Sequence, residues 1–204
     1  MYIPSNMKMD EISKAHDFID EFSFGIIVTE SLNATHLPFV LEAEQGASGI
    51  LYSHFSKANP HWQEIDTAET LVIFNGPHGY ISPSWYAQGP AVPTWNYASV
   101  HVYGTVTLLD ENSTIEVVEQ AMKKYEPSLL SDRAIVTNEF RDKLLMGIVG
   151  FKLEISRLEG KLKLGQHRQC EDQLGVYQGL KSSKNLGSQN LANYMNKLAL
   201  GVGN

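Results

Sequence analysis

The chain has 204 residues, with 16 Lys and Arg against 23 Asp and Glu for a formal charge of −7, and 43% of it is hydrophobic. That length suits one domain with a real core, the apolar content excludes a disordered acidic tail, and the acidic balance runs against a free-standing nucleic-acid binder, whose affinity comes from neutralising phosphates. Cys170 is the single cysteine and cannot close an intrachain disulfide. With no basic-then-apolar leader and no run of the roughly 20 apolar residues that a membrane span needs, a cytoplasmic protein is expected.

After Asp10, which is placed to cap a helix, Ile12, Ala15, Ile19 and Phe22 recur at helical spacing. Residues 24–29 read as a buried strand and 31–33 as a turn. Short β-rich runs follow at 36–41, 49–54, 70–74 and 79–82, separated by Gly, Pro and Asn. Between 100 and 108, Val100, Val102, Gly104, Val106 and Leu108 alternate with His101, Tyr103, Thr105 and Thr107, the clearest strand of the chain. Ser113 with Glu116 forms a candidate capping box for a helix carrying Ile115, Val118, Met122 and Tyr125. A shorter helix is expected at 139–146, a last strand around Phe151, Leu153 and Ile155, and a final helix at 187–199. About seven strands at short spacing favour a barrel or sandwich over a parallel α/β sheet, a mainly β fold with flanking helices.

Chemistry-bearing residues concentrate in one third of the chain. All three Trp and five of the eight Pro fall between residues 60 and 95, and five of the seven His between 36 and 101. Aromatics beside Pro, Gly and amides can build a slot for a flat ligand, although the same residues also serve cores and turns. In the segment from Ser53 to Trp62, a strand ends near His54 and Asn59-Pro60 reads as the cap and first turn of a short helix. Two hydroxyls, an imidazole and an ammonium at a strand end suit a phosphate, and equally a capped surface helix with a solvated Lys57. No His or Cys spacing suggests a metal site, no nucleophile elbow is present, and no Gly-x-Gly-x-x-Gly opens a helix.

Taken in order, the blocks Met1-Tyr2-Ile3-Pro4, Thr35-His36-Leu37-Pro38-Phe39, His54 through Trp62, Tyr80 through Tyr86 and Val92 through Tyr97 resemble the PaiB family, described as FMN-binding negative transcriptional regulators. The match runs from Met1 to about Arg168. It implies an FMN-binding split β-barrel over residues 1–168, with 169–204 as a C-terminal helical extension packed on the same domain, and a homodimer with flavin at the subunit interface. It also implies that Ser53, His54, Ser56 and Lys57 hold the FMN phosphate and that Thr35 and His36 lie on a neighbouring strand. Trp85, Thr94, Trp95 and Asn96 would line the ring or the dimer contact, and Gln166 and Arg168 would approach from the C-terminal part. Three positions depart from the family's pattern. Its late block usually reads Lys-Leu-Ser-Gln-Asn-Arg where this chain has Gly165 and His167 for the Ser and Asn, and Lys57 stands where Arg is common.

The resemblance implies a regulator that works through flavin or ligand sensing, while the −7 charge and the absence of a helix-turn-helix pattern argue against direct DNA binding. Two alternatives stand beside it. One is a flavin-dependent oxidoreductase with His36, His54, Tyr86 or His101 as proton donor, and the other is a cofactor-free interaction scaffold.

Overall fold

The structure, a computed structural model, describes residues 1–131, 137, 139, 143 and 145–203. Seven strands are hydrogen-bonded in the order β2-β1-β5-β6-β7-β4-β3, with β1 at Phe24–Val28, β2 at Ala34–Pro38, β3 at Val40–Glu42, β4 at Ile50–Ser56, β5 at Glu69–Ile81, β6 at Thr94–Leu108 and β7 at Ile148–Lys163. The helices are α1 (Ile12–Glu21), α2 (Glu111–Tyr125), α3 (Cys170–Lys181) and α4 (Leu186–Lys197). The expectation of a mainly β fold with flanking helices therefore holds.

Several expected elements change at their ends. Helix α1 has Glu11, not Asp10, at its N-cap and buries Ala15, Phe18 and Ile19, while Ile12 is exposed and Phe22 is the C-cap. The two runs at 70–74 and 79–82 are one strand, β5. Neither Gly76 nor Gly79 uses the left-handed backbone, so the Gly-Pro signal between the runs makes no turn. Asp110 caps α2 by accepting the Ser113 amide at 2.8 Å, which makes Ser113 an interior residue of the first turn. That amide also holds the Asp110 carboxyl below its ordinary pKa. The helix expected at 139–146 falls largely outside the described residues. At the C-terminal end the expected single helix is a pair. Helix α3 was missed because it carries Gly175 and Gly179 and its apolar residues are sparse.

The chain divides into two units: Glu11–Phe74 with His101–Leu158, and Met1–Asp10 with Asn75–Val100 and Glu159–Asn204. In the first, the run expected as one strand at 36–41 breaks at Phe39, whose amide leaves the ladder and donates to the Ser23 carbonyl at 2.8 Å. β2 pairs with β1, whereas β3 pairs with β4. One residue thus carries the chain from one end of the strand order to the other, which a flat sheet would not permit. The sheet curls, and Phe39 is fully buried inside the curl, edge-on to Phe74 at 5.4 Å and to Phe151 at 6.2 Å. Phe55 meets Phe151 at 5.2 Å and completes this aromatic core.

In the second unit, α3 and α4 close over Ile81, Leu164, Val176, Leu180, Leu191 and Met195. Gly175 and Gly179, one turn apart on α3, leave a slot that the Trp85 segment fills. A Cβ at Gly179 would lie 2.3 Å from the indole, and one at Gly175 would lie 2.0 Å from the Trp85 carbonyl.

Phe39→Ala is expected to destabilise the protein by about 3–5 kcal/mol, because it empties a fully buried site that two facing rings depend on. Urea denaturation of the variant beside wild type measures this, and a loss below about 1 kcal/mol would contradict the assignment.

Candidate functional site

The residues expected to hold a phosphate lie on and after β4 in the first unit. Side chains alternate across a strand, so Ser53 and His54 leave opposite faces. Ser53 is buried, and its hydroxyl donates to the Pro38 carbonyl at 2.7 Å. His54 pairs in register with Gly150, whose missing side chain admits Thr114 of α2. His54 therefore sits on the face that α2 covers, and burial pushes its imidazole pKa down. Past the strand end, the Ser56 hydroxyl accepts the Ala58 amide at 3.3 Å and the Ser56 carbonyl accepts the Asn59 amide at 3.0 Å, folding Ser56–Asn59 into a tight turn. The Lys57 amide donates to the Gly147 carbonyl at 2.8 Å. Its exposed side chain stands at a cavity of about 250 Å³ walled by Leu109, Ile115, Ile148 and Val149, with Glu111, Asn112 and Thr114 as polar members.

The same alternation separates Thr35 from His36. His36 is exposed beside Phe24 on β1, at 6.1 Å. Thr35 faces inward and joins a network that sequence reasoning missed. Its hydroxyl lies 2.8 Å from His61 Nδ1 and accepts from Asn59 Nδ2 at 3.1 Å. His61 is only 4% exposed, with its other ring nitrogen 3.1 Å from the Thr29 hydroxyl and its ring edge-on to Phe55. Glu64 completes the set, accepting from Ser31, Thr29 and Asn33, and those hydrogen bonds depress its carboxyl pKa. The β1–β2 hairpin is thereby clamped to the turn after β4, with the imidazole as the pin. Desolvation lowers the His61 pKa, against a smaller opposing pull from Glu64. His61 stood in the informative third of the sequence, but nothing local distinguished it from its neighbours.

The remaining candidates lie in the second unit. Thr94 and the Trp95 carbonyl both accept from Lys163 Nζ, at 2.8 and 2.6 Å. Trp95 is 47% exposed, lies 5.7 Å from the His78 ring and donates to His78 Nδ1 at 3.3 Å. Asn96 is buried. Trp85 is packed on α3 as described. Gln166 spends its amide on backbone, accepting from the Leu164 amide at 2.9 Å and donating to the Leu162 carbonyl at 2.6 Å and the Asn6 carbonyl at 3.0 Å. Arg168 lies over the Tyr86 ring at 4.6 Å. Gly165, one of the two departures in this block, has φ +81°, and a Cβ there would meet only Asn96 Nδ2, at 3.5 Å. Backbone conformation, not space, favours glycine at this turn.

A curled sheet in this strand order, with flanking helices and a cationic turn after a barrel strand, is a split β-barrel of the kind that binds flavins. Residues 1–157 match the family model described as "Putative FMN-binding domain", and the chain belongs to that family. It is 35% identical over 203 residues to "Protease synthase and sporulation protein PAI 2" of Bacillus subtilis (strain 168), covering 96% of both chains. Among solved structures, the flavocytochrome Anf3 of Azotobacter vinelandii superposes with a TM-score of 0.63 at 15% identity, covering 80% of this chain and 73% of that one. The FAD and heme binding protein of Mycobacterium smegmatis superposes with a TM-score of 0.59 at 14% identity, covering 78% and 74%. These two likenesses establish the fold.

Two measurements follow from this geometry. His54 and His61 are held neutral, with folded pKa values below those of the unfolded chain. The unfolded state therefore binds more protons once the pH drops to about 6.5, so the stabilisation is complete above that pH and is lost as pH falls toward the folded values. Melting temperature is expected to drop between pH 7 and pH 5, and the drop should shrink in a His54→Gln/His61→Gln variant. Glu64 and Asp110, whose pKa values are depressed, add a further loss only in the more acidic carboxylate range. Separately, Gly165→Ser is expected to cost about 1–2 kcal/mol by forcing a side chain into the left-handed region, read as a shift in the denaturation midpoint.

Proposed function

We propose that this protein binds FMN with the flavin phosphate docked on the turn after β4, and that it acts as a cytoplasmic regulator which senses flavin state or a ligand. The observation that carries the reading is the Ser56–Asn59 turn. It presents an ammonium and a hydroxyl at a strand end, and among the described residues no carboxylate is paired with Lys57. That donor set fits a phosphate dianion, Lys57 as a point charge and Ser56 as a hydroxyl donor once the ligand competes with its own turn. Ser53, whose hydroxyl is already committed to Pro38, would support the strand end.

Bound FMN would supply one- and two-electron redox chemistry. The chain's part is to hold the phosphate at Lys57 and to keep the turn rigid through Asn59, Thr35 and His61. Thr94, Trp95 and Asn96 belong in this proposal to the ring-side or dimer-contact set, as does the Arg168–Tyr86 pair. A homodimer is part of the reading, and the exposed Phe24 and Trp95 support it as apolar surface that a second copy would cover. The regulatory role draws on the name of the Bacillus subtilis relative, "Protease synthase and sporulation protein PAI 2". With a charge of −7, regulation through a ligand or a protein partner is physically favoured over direct contact with DNA.

The test compares FMN with riboflavin, which lacks the phosphate, by fluorescence titration of flavin-free protein. FMN is expected to bind more tightly, and Lys57→Met should weaken FMN by about ten- to a hundredfold, the worth of one charged hydrogen bond, while leaving riboflavin unchanged. Equal affinity for the two flavins in wild type would overturn the phosphate assignment, and no affinity for either would overturn the cofactor.

A further inference from the structure

Strand β7 ends in the sequence Gly160-Lys161-Leu162-Lys163-Leu164. Alternation sends Lys161 and Lys163 to the same face. Lys161 is only 7% exposed. Its Nζ donates to the Tyr2 carbonyl at 3.0 Å and lies 5.6 Å from the Tyr2 ring centre and 5.2 Å from that of Tyr97. Lys163 donates to Thr94 and to the Trp95 carbonyl. Burial pushes its ammonium pKa down, Tyr97 pulls against that, and the charge of Lys161 adds a smaller push in the direction of burial.

Two ammonium groups on one face of a strand repel each other, and desolvating a charge is costly unless an opposite charge compensates it. Here none does. Glu159, two residues before Lys161 on the same strand, is paired with the Met1 ammonium, and among the described residues neither lysine has a carboxylate partner. Each ammonium carries three N–H donors. Tyr2 takes one of Lys161's, and Thr94 and Trp95 take two of Lys163's, so donors on both remain without a protein acceptor among the described residues. The aromatic faces of Tyr2 and Tyr97 ease the charge on Lys161 without neutralising it.

Alongside lies a cleft of about 350 Å³ between β5 and β6, lined by Asn75, Gly76, His78, Trp95, Tyr97 and Ala98. Two of these residues join it to the cations. Tyr97 walls the cleft and faces the Lys161 ammonium, while Trp95 walls the cleft and its carbonyl holds Lys163. A flat ring entering the cleft would meet Trp95, Tyr97 and the imidazole of His78, and the lysines, which stand behind Trp95 and Tyr97 and outside the lining, would be approached by an acidic substituent that reaches past those two residues.

We propose that Lys161 and Lys163 form an oxyanion subsite that holds the phosphate or carboxylate of a small planar ligand stacked in the Trp95–Tyr97 cleft. The subsite is argued from its own residues and stands whether or not a flavin docks on Lys57.

Titration calorimetry with phenyl phosphate, benzoate and benzyl alcohol tests it, with quenching of tryptophan emission as a second readout. The two anions should bind and the neutral alcohol should not, and the ranking of phosphate against carboxylate identifies which oxyanion the pair prefers. Lys163→Gln, at the more accessible lysine, and Lys161→Met should each weaken the better anion at least tenfold. Lys163→Arg should retain it, and Lys184→Gln, at an exposed lysine that belongs to neither site, should leave it unchanged. Melting temperature should stay level or rise in Lys161→Met, since a buried unpaired charge has been removed. Failure of both anions to bind, or equal binding to wild type and the Lys161→Met/Lys163→Gln double variant, would overturn the subsite. The same variants and Lys57→Met, titrated with FMN and riboflavin, separate the two assignments. A phosphate-dependent loss at Lys163 with none at Lys57 would move the flavin phosphate to this subsite, supporting it while overturning the Lys57 reading.

Discussion

The burial of Phe39 is the constraint on which the first unit depends. Its backbone leaves β2 at one end of the strand order and enters β3 at the other, and its ring fills the space between Phe74 of β5 and Phe151 of β7. Curling the sheet is what makes that short connection possible, and the aromatic core is what makes the curl favourable. The end of β4 gains its position from the same arrangement. Phe55 packs on Phe151 one residue before the Ser56 turn begins.

That turn is held from a second side by the buried His61. A histidine with both ring nitrogens hydrogen-bonded to threonine hydroxyls is a neutral spacer of fixed length, joining the β1–β2 hairpin to the residues after Lys57. The consequence for binding is preorganisation. In the proposed binding mode a phosphate at Lys57 would meet a loop already fixed by Asn59, Thr35 and Gly147, so less conformational freedom would be lost on binding. It also explains why polar residues cluster beneath a loop with few apolar contacts of its own. The second unit applies the opposite rule. Lys161 and Lys163 are positively charged groups with no carboxylate partner among the described residues, and their surroundings are aromatic.

Much of this was legible in the sequence because it is local. Alternation gave β6 and the inward face of β7, and Asn59-Pro60 gave the short turn after β4, where the Asn59 side chain accepts the His61 amide. Alternation alone also separates Thr35 from His36 and Ser53 from His54. The Gly-Pro pair within β5 misled because a turn needs particular dihedrals as well as particular residues, and those glycines stay out of the left-handed region. Helix α3 was invisible because Gly175 and Gly179 read as helix breakers, and only the Trp85 segment packed into their slot shows why they are there.

The sequence by itself determined the class of fold, the family and the chemical character of the Ser56–Lys57 turn, all of which rest on residues near one another in the chain. Tertiary structure alone decided which of five clustered histidines is the buried pin, that Gln166 is spent on backbone, and that the lysines of the Lys161-Leu162-Lys163 run lie against the aromatic residues Tyr2, Tyr97 and Trp95. Those outcomes depend on partners such as Thr29 for His61, Asn6 for Gln166 and Tyr2 for Lys161, separated by 32, 160 and 159 positions. A side chain's burial and hydrogen-bond partners are set by what folds against it, and no local pattern records that.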